Sequence, residues 1–305
     1  MCTIASRAVS GILSATLLLM CSPALAVDGV VEINQTCAED TGCFASDGPG
    51  FPVTITSPGS YRLTGSLALA AGLTGIMVSA DFVTIDLNGF EIAGPIVCSG
   101  TPATCPAIAQ GDGITRTGVP TGTTVTGGTV RGMPGQGLLL GFGALVENMA
   151  IVGNSGSGVS ASGSSIIRNS RIVGNGDIGV SASGSVITRS VVHGNGNGGI
   201  FCQRSVVSGN AVTSNGGGQG INSNIGCTVT GNTVAQNAGV GIFSTRSLIT
   251  SNTIYDNINE GIVGFSGSGY GSNVLGENNS GGSQVGGTNA VEIGGNVCTD
   301  DVICP

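Results

Sequence analysis

Between residues 75 and 278 one short pattern returns every 20 to 22 residues, and that period constrains the fold more than any other feature. Asparagines mark it twice. Asn148, Asn169, Asn210, Asn232, Asn252 and Asn273 form one series, with Ser190 filling a gap. Asn154, Asn175, Asn195, Asn215, Asn237, Asn257 and Asn278 form a second. Aliphatic residues keep the same pace in three columns. The first runs Leu145, Ile166, Ile187, Val207, Val229, Ile249, and reaches back to Val125 and Ile85. The second runs Ile151, Ile172, Val192, Val212, Val234, Ile254. The third, each member directly after a glycine, runs Leu138, Val159, Val180, Ile200, Ile221, Ile242, Ile262.

Three apolar columns per repeat imply three short strands per repeat, each turning alternate side chains inward. Helical repeats are excluded, because Gly, Ser, Thr, Asn and β-branched residues are poor helix formers. A coil of three strands stacked on like coils accounts for the constant step, with equivalent residues one strand spacing apart. The chain is thus read as all-β, a right-handed parallel β-helix, a three-sheet solenoid of coils of about 21 residues. The hand follows from the rule for parallel crossovers. Counting anchors from Ile76 and Ile114 to Ile262 gives nine coils, about 43 Å of stack. The asparagines suit sharp turns, since Asn tolerates left-handed backbone and its amide can bond to stacked copies of itself. A sugar-binding role is the competing reading, weakened by their presence in every coil.

Segment 94–112 breaks the pace and reads as a disulfide-stapled loop beside the helix. Residues 27–72, with a strand over 61–69, read as an N-terminal cap, the helix occupies 73–278, and residues 279–305 form a C-terminal cap or tail. A flexible leader over 27–60 is the alternative, opposed by Cys37 and Cys43. Residues 1–26 have the form of a secretory signal: Arg7, an apolar run from Ile12 to Met20, and Ala24-Leu25-Ala26 as the cleavage site. Met20 stands before Cys21 where a lipoprotein signal needs a small residue, which disfavours lipidation. The chain is therefore expected to be exported, to the periplasm, the cell surface or the medium. No later segment is long and apolar enough for a membrane helix. Eight cysteines follow the signal, an even number that reads as a disulfide framework. Cys37/Cys43, Cys98/Cys105 and Cys298/Cys304 are local pairs, and Cys202/Cys227 joins neighbouring repeats. Zinc is the competing use, but no histidine lies near any of them. Nine arginines, no lysine and a net charge of −8 argue against nucleic acid and, more mildly, against polyanionic glycans.

Gly59-Ser60-Tyr61-Arg62-Leu63-Thr64-Gly65, Gly75-Ile76 and Val83-Thr84-Ile85-Asp86-Leu87-Asn88-Gly89-Phe90 make an opening block, and Gly295-Asn296-Val297-Cys298 through Cys304-Pro305 make an ending. With the repeat, these resemble the exported right-handed parallel β-helix repeat proteins of bacteria, within the pectate-lyase-like superfold. The resemblance implies the fold over nearly the whole chain and leaves function open, because this superfold hosts many activities. Its lyases imply calcium held by converging acids, with an Arg or Lys as base, whereas Asp177, Asp256 and Glu260 stand coils apart or out of register and Asp300-Asp301 lies in the tail. Its hydrolases imply paired carboxylates, its epimerases an Asp-Pro-His-Glu string and its esterases aspartates with an arginine. None of these patterns is found in the sequence. His193 is the one histidine, and its repeat partners Thr213, Ala235 and Tyr255 suggest an outward side chain.

One constellation remains. Glu147, Arg168 and Arg189 share a repeat position by sequence spacing, and Arg171 and His193 follow on the next strands. The bland reading is a surface ladder in which Glu147 pairs with Arg168, contributing less than about 1 kcal/mol. The sharper reading makes Arg168, Arg171, Arg189 and His193 contacts for a carboxylate or sugar. The expected function is a non-catalytic, monomeric surface or secreted protein that binds a glycan or protein partner or plays a structural role, with no metal and no cofactor. The alternative is a polysaccharide-active lyase or hydrolase.

Overall fold

The computed structural model describes residues 29–106 and 110–298. The signal-like segment 1–26 and the Cys298–Cys304 pairing fall outside these residues. Three columns of parallel strands wind around one aliphatic core. The column that opens each coil has eleven strands, from Val53–Ile55 to Val285–Thr288. The other two are counted as one 21-stranded sheet, because Thr124–Arg131 and Leu145–Val152 run through both without a break. Elsewhere they are separate strands of two to five residues, most of them three, such as Ile166–Arg168 and Arg171–Val173. All these ladders are parallel, and each strand pairs with its equivalent one coil on, as in Val180↔Ile200 and Ile200↔Ile221.

The stack is longer than the repeat count alone indicates. All nine strands expected between Ile76 and Ile262 are present. Val53–Ile55 adds a rung before them, Val285–Thr288 adds one after, and Val30–Ile33 opens the column of Val146 and Ile167, which holds twelve strands. These outer rungs carry too few asparagines and too irregular a spacing to show in the period.

The core is the set of aliphatic columns. Ile151, Ile172, Val192, Val212, Val234 and Ile254 are fully buried, and so are Leu138, Val159, Val180, Ile221, Ile242 and Ile262. Burying each such side chain contributes about 1.5–3 kcal/mol. The first column needs a correction of one residue. Val146 pairs with Ile167, then Ile187, Val207, Val229 and Ile249. Leu145 and Ile166 are their outward neighbours, and Ile166 is exposed. In a three-residue strand such as Ile166-Ile167-Arg168 both of the first two positions are apolar, so alternation alone cannot choose the inner one.

Cys37–Cys43, Cys98–Cys105 and Cys202–Cys227 are disulfide-bonded. The last joins a strand of one coil to a corner of the next. The loop carrying Cys98 and Cys105 packs against the helix: the Ala103 N–H donates to Gly194 O at 2.8 Å, and Ser155 Oγ donates to Pro106 O at 3.0 Å.

Candidate functional site

Each regular coil turns three corners, and each corner repeats one device: a residue with positive φ, then a buried polar residue. After the second column, Gly174 and Gly194 precede Asn175 and Asn195. Between the two joined columns, Asn169 (φ 50°), Arg189 (φ 50°) and Gly209 (φ 65°) precede Ser170, Ser190 and Asn210. At the remaining corner, Gly184 and Arg204 precede Ser185 and Ser205. The buried residues form ladders along the helix. Asn195 Nδ2 donates to Asn215 Oδ1 at 2.9 Å and to Ile172 O at 3.3 Å. Asn195 Oδ1 accepts from the backbone N–H and the side chain of Asn175 at 3.0 and 2.9 Å. Each amide thus bonds to the coil on either side, which is what burial of a polar group requires.

Asn148 and Asn169 take a different part from the one the spacing gave them. They sit in the left-handed turn position and the ladder passes through the next residue, Ser170, whose Oγ accepts from the Met149 N–H at 3.2 Å. Asn210, Asn232 and Asn252 are buried in the ladder. Reading the sequence also missed a serine ladder: Ser205 Oγ accepts from Ser185 N–H at 3.0 Å, and Ser247 Oγ from Cys227 N–H at 3.0 Å. Serines are so abundant here that only their fixed place after a positive-φ residue could have marked them.

The corner between the joined columns opens into a shallow groove of about 680 Å³. Gly89, Gly127, Gly128 and Ala150 give it a low floor, Asn148 and Asn169 supply amides, and Arg171 and Arg189 supply guanidinium groups. The floor is low for packing reasons: a Cβ at Gly128 would strike the Leu87 side chain and Phe90 O. Arg171 and Arg189 are both exposed. Arg171 lines up with Ala150 and Val191 on neighbouring rungs, all three in the groove. No Asp, Glu or His lines it. The neighbouring Glu91, paired in register with Thr129, is held by Arg131 through two hydrogen bonds of 2.7 and 2.8 Å. The hydrogen bond from Arg131 holds the Glu91 carboxyl below the usual carboxylate range, against the opposing effect of burial.

The structure thus brings together two of the four expected contact residues and separates the others. Arg168 is not on a level with Arg189: its register partners are Glu147 and Thr188, and Arg189 occupies the turn. The one-residue shift arises because a 20-residue coil follows a 21-residue coil. Arg168 pairs with Glu147 at 2.9 Å, the bland outcome. His193 faces outward from the second column, its Nδ1 2.9 Å from Thr213 Oγ1, and lies outside the groove. A smaller cavity of about 30 Å³, beside Phe201 and Asn222 on the eleven-strand face, has room for about one water and none for a sugar. Among the described residues no three His, Cys, Asp or Glu side chains converge as a metal site. None of the described helices is long and apolar enough to cross a membrane.

Residues 112–247 match the family model of the right-handed β-helix region. With the twelve-strand stack this gives the described residues the right-handed β-helix fold, of pectate-lyase-like form. Solved structures agree. The A-module of mannuronan C-5 epimerase AlgE4 of Azotobacter vinelandii superposes with a TM-score of 0.61 at 15% identity, covering 88% of this chain and 84% of that one. The periplasmic alginate epimerase AlgG gives a TM-score of 0.60 at 16% identity, covering 88% and 83%. A pectate lyase gives 0.51 at 13% identity, covering 86% and 78%. At such identities the likeness is one of fold. No curated protein matches the sequence.

Proposed function

We propose that this is an exported, monomeric, non-catalytic glycan-binding protein, and that the groove at Arg171 and Arg189 holds an acidic sugar. The observation that carries this reading is the groove's lining: two guanidinium groups and two amides, with no carboxylate or imidazole. A guanidinium offers a planar fork of donors that matches a carboxylate. Glycosidic hydrolysis needs a carboxyl pair and calcium-assisted elimination needs converging acids, and the described lining supplies neither. Export is supported by the three disulfides and by the signal-like first 26 residues.

Calorimetric titration with a short uronate oligosaccharide tests the binding. Arg171→Ala with Arg189→Ala is expected to weaken it by about tenfold or more, the scale of about 1.4 kcal/mol. The fold neighbours that act on alginate and pectate supply the rival reading, a polysaccharide-active enzyme. Unsaturated or epimerised sugar residues appearing during incubation with alginate or pectate would decide for that rival.

A further inference from the structure

The corner where the eleven-strand sheet passes into the twelve-strand column lies away from the groove and repeats an arrangement of its own. Phe82 is 71% exposed and Phe142 49%, unusual for aromatic rings on a surface built of small residues. The Phe82 N–H donates to Thr121 O at 2.8 Å, and the Gly122 N–H to Phe142 O at 2.9 Å. Phe82, Gly122 and Phe142 therefore occupy three successive rungs. A Cβ at Gly122 would come within 2.8 Å of the Phe82 ring, and one at Gly163 would strike the Phe142 ring. Each ring is thus laid against the glycine of the following coil.

The same corner repeats the device with arginine. Arg204 lies with its Cγ 3.7 Å from a Cβ placed at Gly226, and Arg246 with its Cγ 3.1 Å from one placed at Gly267. Arg204 N–H bonds to Ile225 O at 2.9 Å and Gly226 N–H to Arg246 O at 2.9 Å, so these arginines are also two rungs apart. Both are exposed, and neither enters an ion pair among the described residues. Arg116 adds a third guanidinium near Phe142. Its Cδ is 3.4 Å from a Cβ placed at Gly141, and its Nε is buried with no partner.

We infer that this corner is a second binding track, for an extended acidic polysaccharide lying parallel to the helix axis. Two rungs span about 10 Å, close to the advance of two residues in an extended β-1,4-linked sugar chain. Phe82 and Phe142 then meet the C–H faces of alternate sugars with the electron-rich faces of their rings. Arg204 and Arg246 meet carboxylates further along, Arg116, whose Nη1 donates to Gly118 O, lies on the rung between the two rings, and the track from Phe82 to Arg246 covers about 34 Å. Charge complementarity selects an acidic polymer, since a neutral chain would leave the arginines unused. Unlike the groove, which takes a short ligand, the track needs length. A single-stranded nucleic acid would also stack on aromatic rings and meet arginines; as another polyanion it faces the same net charge of −8, and polyuridylate tests it.

Affinity electrophoresis of the full chain tests this, in native gels containing carboxymethyl cellulose, polymannuronate, hydroxyethyl cellulose or polyuridylate. The acidic polysaccharides should retard the protein, the neutral one less, and polyuridylate not at all. Phe82→Ala with Phe142→Ala, or Arg204→Ala with Arg246→Ala, should each raise the dissociation constant for the acidic polymers about tenfold, with the thermal midpoint unchanged because all four side chains are exposed. Arg171→Ala with Arg189→Ala removes the groove's own hold on acidic sugars, so the phenylalanine and arginine pairs are tested in that background too, where polymer retardation should remain and should fall with either pair. Polymer binding indifferent to the phenylalanines, no polymer binding at all, or preferential retardation by polyuridylate would each overturn the track. Failure of the unaltered protein to bind the short oligosaccharide, with polymer retardation intact, would tell against the groove and leave the track standing.

Discussion

Ile200 and His193 lie close in sequence and face opposite ways. Ile200 is 1% exposed between Val180 and Ile221, while His193 shares the outer surface with Thr213. Ile200→Ala should therefore destabilise by about 2–5 kcal/mol through the cavity it leaves, and His193→Ala by well under about 1 kcal/mol, both read by chemical denaturation. Equal losses would contradict the inward and outward assignments. The same contrast divides the asparagines. Asn195→Ala strands the buried donors of Asn175 on one coil and takes a donor from Asn215 Oδ1 on the other, at about 1–3 kcal/mol for each group left unpaired. Asn169→Ala alters only an exposed turn position with positive φ and should cost less. At this scale the sequence was partly legible. The second and third aliphatic columns and the second asparagine series could be read directly, because one residue per strand or turn fits the pattern. Leu145 and Ile166, with Asn148 and Asn169, were placed one residue off. Each stands beside a second residue of suitable chemistry, and only the neighbouring coil decides between the two.

Strands of three residues are too short to be stable alone, so corners and ladders must set their register. Thr124–Arg131 and Leu145–Val152 pass through two columns at once and clasp them together early in the helix. Glu91 and Arg131 sit beside this clasp, 2.7 Å apart on paired strands. Glu91 has a lower pKa in the folded chain than in the unfolded one. Its contribution to stability is thus complete above the ordinary carboxylate range and is lost as pH falls through the depressed value. Acid titration of the unfolding midpoint should show a loss below that range which Glu91→Gln diminishes. An identical acid limb in the variant would show that the pair contributes nothing. The pairing of Arg168 with Glu147 was legible from spacing, but the placing of Arg189 was not. A change in coil length from 21 to 20 residues moves it from strand to turn, and no single repeat reveals that.

At the scale of the whole molecule, the repeat specifies a solenoid because a constant step is the only way three apolar columns can each close on themselves. The middle of the stack was visible for that reason. Its first and last rungs were not, since Val30–Ile33, Val53–Ile55 and Val285–Thr288 join the ladders by backbone pairing without repeating the asparagine signal. The groove and the aromatic corner are properties of this scale too, as each assembles residues from several coils. Both depend on side chains one coil apart lying directly above one another. Cysteine cross-linking tests that most directly. Thr188 and Ser208 are register partners on the outer face, with hydroxyls 3.2 Å apart, and Thr230 lies one rung beyond Ser208. Peptide mapping after mild oxidation should find a disulfide in the Thr188→Cys, Ser208→Cys protein, since rungs about 4.8 Å apart suit the bond. It should find none in the Thr188→Cys, Thr230→Cys protein, and a bond there with none in the first would contradict the stacked-coil account.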